Sequence, residues 1–369
     1  MSYKIAVIGT VGLPAQYGGW ETLTEQLVRN LPDDCELTVY CSAPHYPERP
    51  AFFERARLVY IKLKANGIQS IPYDVLSMLH AYRQHDLMLV LGVSGCIALP
   101  FMRLLTRKPI VVNIDGYEWK RAKWSKPARW FLRLSEAVAV RFAHAVITDN
   151  KVLQEYVKDE YGKHSTLIAY GGNQAKAIEP TAEAREAYPF LNAPYAFTVC
   201  RIEPENNIHV ILEAFADTNM TLVIIGNWNH SDYGVQLRKR YAANANIHLL
   251  DPIYEVERLS PLRSGASVYL HGHSAGGTNP SLVEAMWLGL PVVAFDVSFN
   301  RATTEEQALY FADSGSLRQH VTALLEGTEA RAALAERMHE IANRRYRWSV
   351  VADQYRSVFT SLLDSAGRR

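Results

Sequence analysis

At 369 residues the chain is long enough for two domains of the usual size of roughly 100–200 residues. Apolar residues make up 48% and charged residues 21%, which excludes an extended disordered chain. Lys plus Arg (39) nearly balance Asp plus Glu (38), so no global field draws the protein to nucleic acid, and four scattered cysteines without a CxxC pair exclude a disulfide scaffold and a cysteine zinc site.

Residues 1–9 lack the long apolar centre and small-residue cleavage site of a signal peptide, so a cytoplasmic protein is expected. An apolar run at 4–8 predicts the first strand. Trp20, Leu23, Leu27, Val28 and Leu31 then repeat at helical spacing, with Glu21, Glu25 and Arg29 on the other side. Strand-like runs follow at 36–41, 58–63, 87–91, 110–114, 145–148 and 166–169. The uncharged stretch 87–102 is broken by Gly92, Gly95 and Pro100 and is shorter than the roughly 18–20 residues of a spanning helix, so it predicts a buried strand leading into a helix.

Residues 171–194 lapse into Gly, Asn, Ala, Glu and Pro and read as a linker. Alternation restarts with strands expected at 195–200, 221–225, 247–250, 268–270 and 291–294. A last helix is expected at 348–363, its Val351, Tyr355, Phe359 and Leu362 on one face. Short apolar runs alternating with helices signify parallel sheets covered on both faces. The fold class expected is therefore α/β, with two Rossmann-like doubly wound domains facing across a cleft. The expected boundaries are 1–172, a linker at 173–194, a second domain at 195–346, and a C-terminal helix at 347–369 that crosses back to the first domain.

The first strand runs into Gly9-Thr10-Val11-Gly12 and then Gly18-Gly19-Trp20-Glu21 before a helix, a loop whose amides suit a phosphate. A dehydrogenase is disfavoured, because there is no GxGxxG and the second strand ends in Cys41-Ser42, where a ribose-binding acid would stand. Asp115 ends a strand and could hold a sugar or attacking hydroxyl, or simply cap a turn; spacing leaves both open. Trp119, Lys120, Arg121, Lys123 and Trp124 open a basic, aromatic, acid-free stretch that suits an anionic membrane or a lipid pyrophosphate as well as a solvated helix face.

In the second half, Arg201 at a strand end presents a planar fork to a diphosphate, the alternative being an interdomain salt bridge. The segment from Gly272 to Met286 reads as strand, Gly-rich turn and helix, with Pro280 favoured at the helix start. Amides of Gly277, Thr278, Asn279 and Ser281 form an anion site there, and Glu284, one turn inside, is placed to accept from a ribose hydroxyl. His271 and His273 lack a third ligand at sensible spacing and read as core or cleft-wall residues. The chain has no Asp-x-Asp pair to clamp a metal, so none is expected.

Together these motifs resemble the retaining GT-B glycosyltransferases of family GT4, and within it the bacterial rhamnosyltransferases of capsule, exopolysaccharide and O-antigen assembly. The resemblance implies a donor held mainly by the second domain, without a metal or other cofactor. Glu284 matches the second glutamate of the family's Glu-x7-Glu motif, which holds the ribose; Gly276 stands at the first. Asn206 stands where a lysine usually partners Arg201, and Asp115 where many members have a histidine. Trp228 and Ile253 match loops that flank the base. These departures are shared with the rhamnosyl branch and imply dTDP-L-rhamnose as donor and a lipid-linked saccharide as acceptor, with peripheral contact to the inner face of the membrane. The alternatives are another UDP- or GDP-sugar, a sugar-nucleotide 2-epimerase of the same architecture, and an inactive binding module.

Overall fold

The structure is a computed structural model describing residues 2–16, 18–114, 116–120 and 124–367. It divides into two compact units, Met1–Tyr170 with Trp348–Arg369, and Gly171–Arg347.

The first unit runs β1 (Tyr3–Ile8), α1 (Gly19–Asn30), β2 (Cys35–Ser42), β3 (Phe52–Phe53), β4 (Ala56–Ile61), α2 (Ser70–Gln84) and β5 (Leu87–Leu91). It continues through α3 (Leu99–Leu105), β6 (Ile110–Ile114), α4 (Lys126–Phe142), β7 (Ala145–Thr148), α5 (Lys151–Tyr161) and β8 (Thr166–Leu167). The sheet order is β3-β4-β2-β1-β5-β6-β7-β8, parallel except for the antiparallel β3–β4 pair. The central strands are apolar at nearly every position because helices cover both faces: β5 and β6 are buried along their whole length.

The second unit runs α6 (Ala182–Ala187), β9 (Tyr195–Val199), α7 (Ile208–Phe215), β10 (Thr221–Ile225), α8 (Asp232–Tyr241), β11 (Ile247–Leu250) and α9 (Val256–Ser264). Then come β12 (Val268–His271), α10 (Pro280–Trp287), β13 (Val292–Phe295), α11 (Ser298–Thr303), β14 (Leu309–Phe311), α12 (Ser314–Glu326) and α13 (Thr328–Arg345). The order is β11-β10-β9-β12-β13-β14, all parallel.

Residues 173–194, read as a linker from composition, are built into the second unit. Phe190 and Leu191 are buried, the Phe190 ring lies against Tyr195 and His248, and Thr181 caps α6. The last helix, α14 (Trp348–Gly367), belongs to the first unit, where it lies against α1. Its Tyr355 is fully buried with the hydroxyl accepting from Asn113 Nδ2, and Arg356 Nη2 reaches Asp34 Oδ2 at 2.7 Å. Among the described residues no helix is long and apolar enough to cross a membrane.

One buried acid gives the first unit a pH-dependent stability. Asp74 of α2 accepts the Gly95 amide at 3.0 Å through Oδ2, while Oδ1 is buried without a partner. Burial pushes its carboxyl up to about 8. The folded value lies above the unfolded one of about 4, so the contribution is fully present below about pH 4 and is lost as pH rises toward about 8. Asp74→Asn keeps an acceptor for Gly95 and removes the titration. Its melting temperature is expected to fall less than the parent's across that window; parallel melting curves against pH would refute a neutral Asp74.

Candidate functional site

In each sheet the direction of winding reverses once, between β1 and β5 and between β9 and β12. Ligands of open parallel sheets settle outside the carboxyl ends of the strands at such a point. The loops leaving β9 and β12 carry the second-half motifs, and they are tied to each other. Ser274 donates from N and Oγ to Glu205 O at 2.8 and 2.9 Å, and Asn207 Nδ2 donates to Gly272 O at 2.8 Å.

Asn206, expected to touch the donor, is instead part of this fastening. Its Nδ2 donates to Arg201 O at 2.7 Å, its Oδ1 accepts from His273 Nδ1 at 2.8 Å, and it is buried. With both polar ends used inside the domain, the side chain holds the β9 loop on the β12 loop. His273 is fixed in turn by Asn300 Nδ2, which donates to its carbonyl at 2.9 Å. His271 is buried beside it, and desolvation drives its pKa down to about 3, so it is a neutral ring and brings no positive charge to the site. Among the described residues no three His, Cys, Asp or Glu side chains are grouped as metal ligands.

Arg201 sits on the β9 loop with its side chain 37% exposed, 3.4 Å from Glu203 Oε2 and 3.7 Å from Glu205 Oε1. Both separations exceed the roughly 2.7–2.9 Å of a charge-assisted hydrogen bond, so the guanidinium fork is not locked to either acid.

At the start of α10, Asn279 Oδ1 accepts the Ser281 amide at 3.0 Å and the Ser281 hydroxyl at 2.8 Å. Pro280 has no N–H. Of the anion site expected over Gly277 to Ser281, the Ser281 amide is therefore taken by Asn279 and Pro280 brings no donor. Glu284 lies one turn further on, and its carboxylate is gripped from two sides. Gln174 Nε2 donates to Oε1 at 2.6 Å and Arg263 Nη1 donates to Oε2. The two side chains of that ion pair are only 10% and 18% exposed. Each carboxylate oxygen keeps a second lone pair, so a ribose hydroxyl can still donate to the oriented group. Neither Arg263 nor Gln174 was foreseen. The signal available was an arginine five residues before β12 with no acid three or four positions away to pair it.

Trp228 also departs from expectation. Its ring is fully buried and its indole N–H donates to Leu250 O at 2.9 Å, so it fixes the loop after β10 to the end of β11 and has no face to offer a base. Ile253 is half-buried in the loop before α9.

In the first unit, Gly18 and Gly19 open α1. Glu21 turns back to accept Thr10 Oγ1 at 2.9 Å and the Val11 amide at 2.7 Å, and Glu25 accepts the Ala15 amide at 2.8 Å, so two acids of α1 shape the loop after β1. Trp119 and Trp124 are partly buried against the core beneath α4, Trp124 donating to Glu118 Oε1 at 3.0 Å, and the Lys120 ammonium lies 3.7 Å from the Tyr117 ring centre. The two tryptophans thus pack partly against protein, while Lys120 is exposed. Asp115, Arg121 and Lys123 lie outside the described residues.

Residues 180–341 match the family model described as Glycosyl transferases group 1. The match lies within the second unit. Residues 2–173 match a model described as Domain of unknown function (DUF1972). The phosphatidyl-myo-inositol mannosyltransferase of Mycobacterium leprae (strain TN) is 29% identical over 192 residues, 49% of this chain; the match spans half the length of that relative. Among solved structures, the sucrose-phosphate synthase (tll1590) from Thermosynechococcus elongatus has a TM-score of 0.83 at 18% identity, over 98% of this chain and 100% of that one. Anabaena Alr3699/HepE in complex with UDP-glucose has a TM-score of 0.75 at 17% identity, over 97% and 100%. The fold is GT-B, as the motifs led us to expect. The matched segment carries the tied β9 and β12 loops, Arg201 and the Arg263–Glu284 pair.

Proposed function

We propose that the protein is a retaining hexosyltransferase that moves L-rhamnose from dTDP-L-rhamnose to a lipid-linked saccharide in bacterial surface polysaccharide assembly. The observation that carries the reading is Glu284, oriented by Arg263 and Gln174 one turn inside the helix that follows β12. Supporting the nucleotide-sugar class, the Anabaena relative of the same fold is a complex with UDP-glucose. Rhamnose rests on the sequence: Gly276 and Asn206 stand where glucosyl-type members have a glutamate and a lysine.

In this mechanism Glu284 accepts from the ribose and sets the position of the nucleotide. The α10 dipole and Arg201, with amides of the Gly-rich turn before α10, balance the charge that develops on the diphosphate as the C1–O bond breaks. The acceptor hydroxyl attacks C1 from the same face, and its proton passes to the departing phosphate oxygen, so the anomeric configuration is kept. Asp115 would position the sugar or acceptor.

Titration calorimetry with dTDP-L-rhamnose, UDP-glucose, UDP-N-acetylglucosamine and GDP-mannose tests the donor. Tightest binding is expected for dTDP-L-rhamnose; preference for another sugar nucleotide would overturn the rhamnosyl assignment alone. Glu284→Gln keeps an acceptor for Arg263 but loses the charge, and is expected to weaken donor binding about tenfold or more. Unchanged affinity would remove Glu284 from the donor site.

A further inference from the structure

A groove of about 590 Å³ opens at the amino ends of the strands of the first sheet, the opposite end from the loop that carries Gly18 and Gly19. Strand register explains its floor. Lys4 of β1 lies beside Glu36 of β2; Thr38, two residues on, is paired with Arg57 of β4, and Arg57 with Phe52 of β3. Residues side by side in register point to one face of a sheet, so these five side chains share it. Further along the same face come Ala6, Ile8, Tyr40 and Val59, which pack in one core with Met78 and Ala81 of α2. Helix α2 stops at Gln84, and where its cover ends the face turns polar and His85 lines the groove.

Most of this polar lining is not used up by the fold. Arg55 is the exception: Nε donates to Val28 O at 2.6 Å, Nη2 to Leu31 O, and Nη1 to Asp33 Oδ1 at 3.1 Å. The Lys4 ammonium and the Arg57 guanidinium have no partner among the described residues, since Asp86 accepts the Lys4 amide at 2.9 Å and not its side chain. The Thr38 hydroxyl has none either, although Thr38 is only 8% exposed. His85 is 5% exposed and must donate from Nδ1, because Ala81 O at 3.2 Å can only accept. Burial pushes its pKa down, so the ring is neutral and Nε2 remains an acceptor without a protein partner. Glu36, the one acid in the lining, accepts the Ser2 hydroxyl.

We infer that this groove binds a phosphate monoester that also carries hydroxyl groups, a phosphorylated sugar or polyol. Lys4, Arg57 and the Thr38 hydroxyl take the phosphate, and His85 Nε2 and Glu36 accept from hydroxyls. Two cations with one acid between them select a compact anion, and the acceptors at hand reject a bare one. Size agrees, because small-molecule pockets run to roughly 300–1,000 Å³. Phe52, 62% exposed, leaves its ring free to lie against the carbon skeleton. All the groups invoked belong to the first unit, so the site rests on neither the donor nor the reaction proposed above.

Titration calorimetry of the full chain with glucose 6-phosphate, inorganic phosphate and glucose tests this without any sugar nucleotide. Glucose 6-phosphate is expected to bind more tightly than phosphate, and glucose to give no saturable signal. Arg57→Gln and Lys4→Gln, both at exposed positions and checked by an unchanged melting temperature, should each weaken binding about tenfold or more. Arg201→Gln, in the other unit, should leave it unchanged. No saturable binding, phosphate or glucose bound as tightly as glucose 6-phosphate, or equal binding by the parent and Arg57→Gln would overturn the inference. So would loss of binding in Arg201→Gln, which would assign the ligand to the second unit.

Discussion

Arg263→Ala is expected to cost about 3 kcal/mol of folding stability, because it leaves the Glu284 carboxylate largely buried with Gln174 as its remaining partner among those described above. The loss should appear as a lower denaturation midpoint with an unchanged slope, the mark of a stability change within the same folded and unfolded states. Taking both charges away separates the two roles of the pair. Arg263→Met with Glu284→Leu fills similar volume with apolar atoms and should recover most of the stability, since a buried pair contributes little over an apolar replacement. The double variant should nonetheless fail to bind the donor. If Arg263→Ala were as stable as the parent, water would be screening the pair, and the oriented carboxylate on which the donor site is built would be lost with it.

A second large effect is expected from Gly9→Ala, a change that alters no charge. Gly9 leaves β1 at φ +95°, and a Cβ there would stand 2.1 Å from the carbonyl oxygen of Leu91, the last residue of the neighbouring strand β5. Backbone cannot step aside as a side chain end can. The methyl group must pry β1 and β5 apart where the sheet reverses its winding, at a cost of about 3 kcal/mol or more. Gly67 supplies the control. Its φ is +69°, with nothing within 4 Å of a built Cβ, so Gly67→Ala should cost only the conformational penalty of about 1 kcal/mol. Equal losses at the two positions, read from denaturation midpoints, would show that the close approach at Leu91 does not matter.

Much of the fold was legible because burial on both faces writes a strand as a short unbroken apolar run. Residues 87–91, 110–114, 145–148, 221–225 and 247–250 form strands with the expected ends. Edges were harder: β14 was not foreseen, and β8 is two residues long where four were expected, since an outer strand needs fewer apolar positions. Phe190 and Leu191 are buried with too short a pattern to show a period. The candidate site was legible where chemistry is local. Pro280 at a helix start and Glu284 one turn inside can be read from spacing alone. Arg263 could not, because its role exists only where α9 is brought beside α10 by the strand between them. Trp228 and Asn206 misled for the converse reason: a large ring or an amide beside a strand-end turn looks available until the fold supplies the carbonyls that occupy it.

The return of α14 to the first unit has a consequence for synthesis. Residues 171–347 are continuous and leave the ribosome together, so the second unit has its whole sequence in hand before α14 is made. The first unit begins earlier yet finishes last. Until α14 emerges, Asn113 lacks its tyrosine and Asp34 lacks its arginine, and the surface that α1 shows to the helix stays wet. Order of translation and order of completion are thus reversed, and a chain cut short before Trp348 would leave a finished C-terminal domain joined to an N-terminal one still waiting for its final piece.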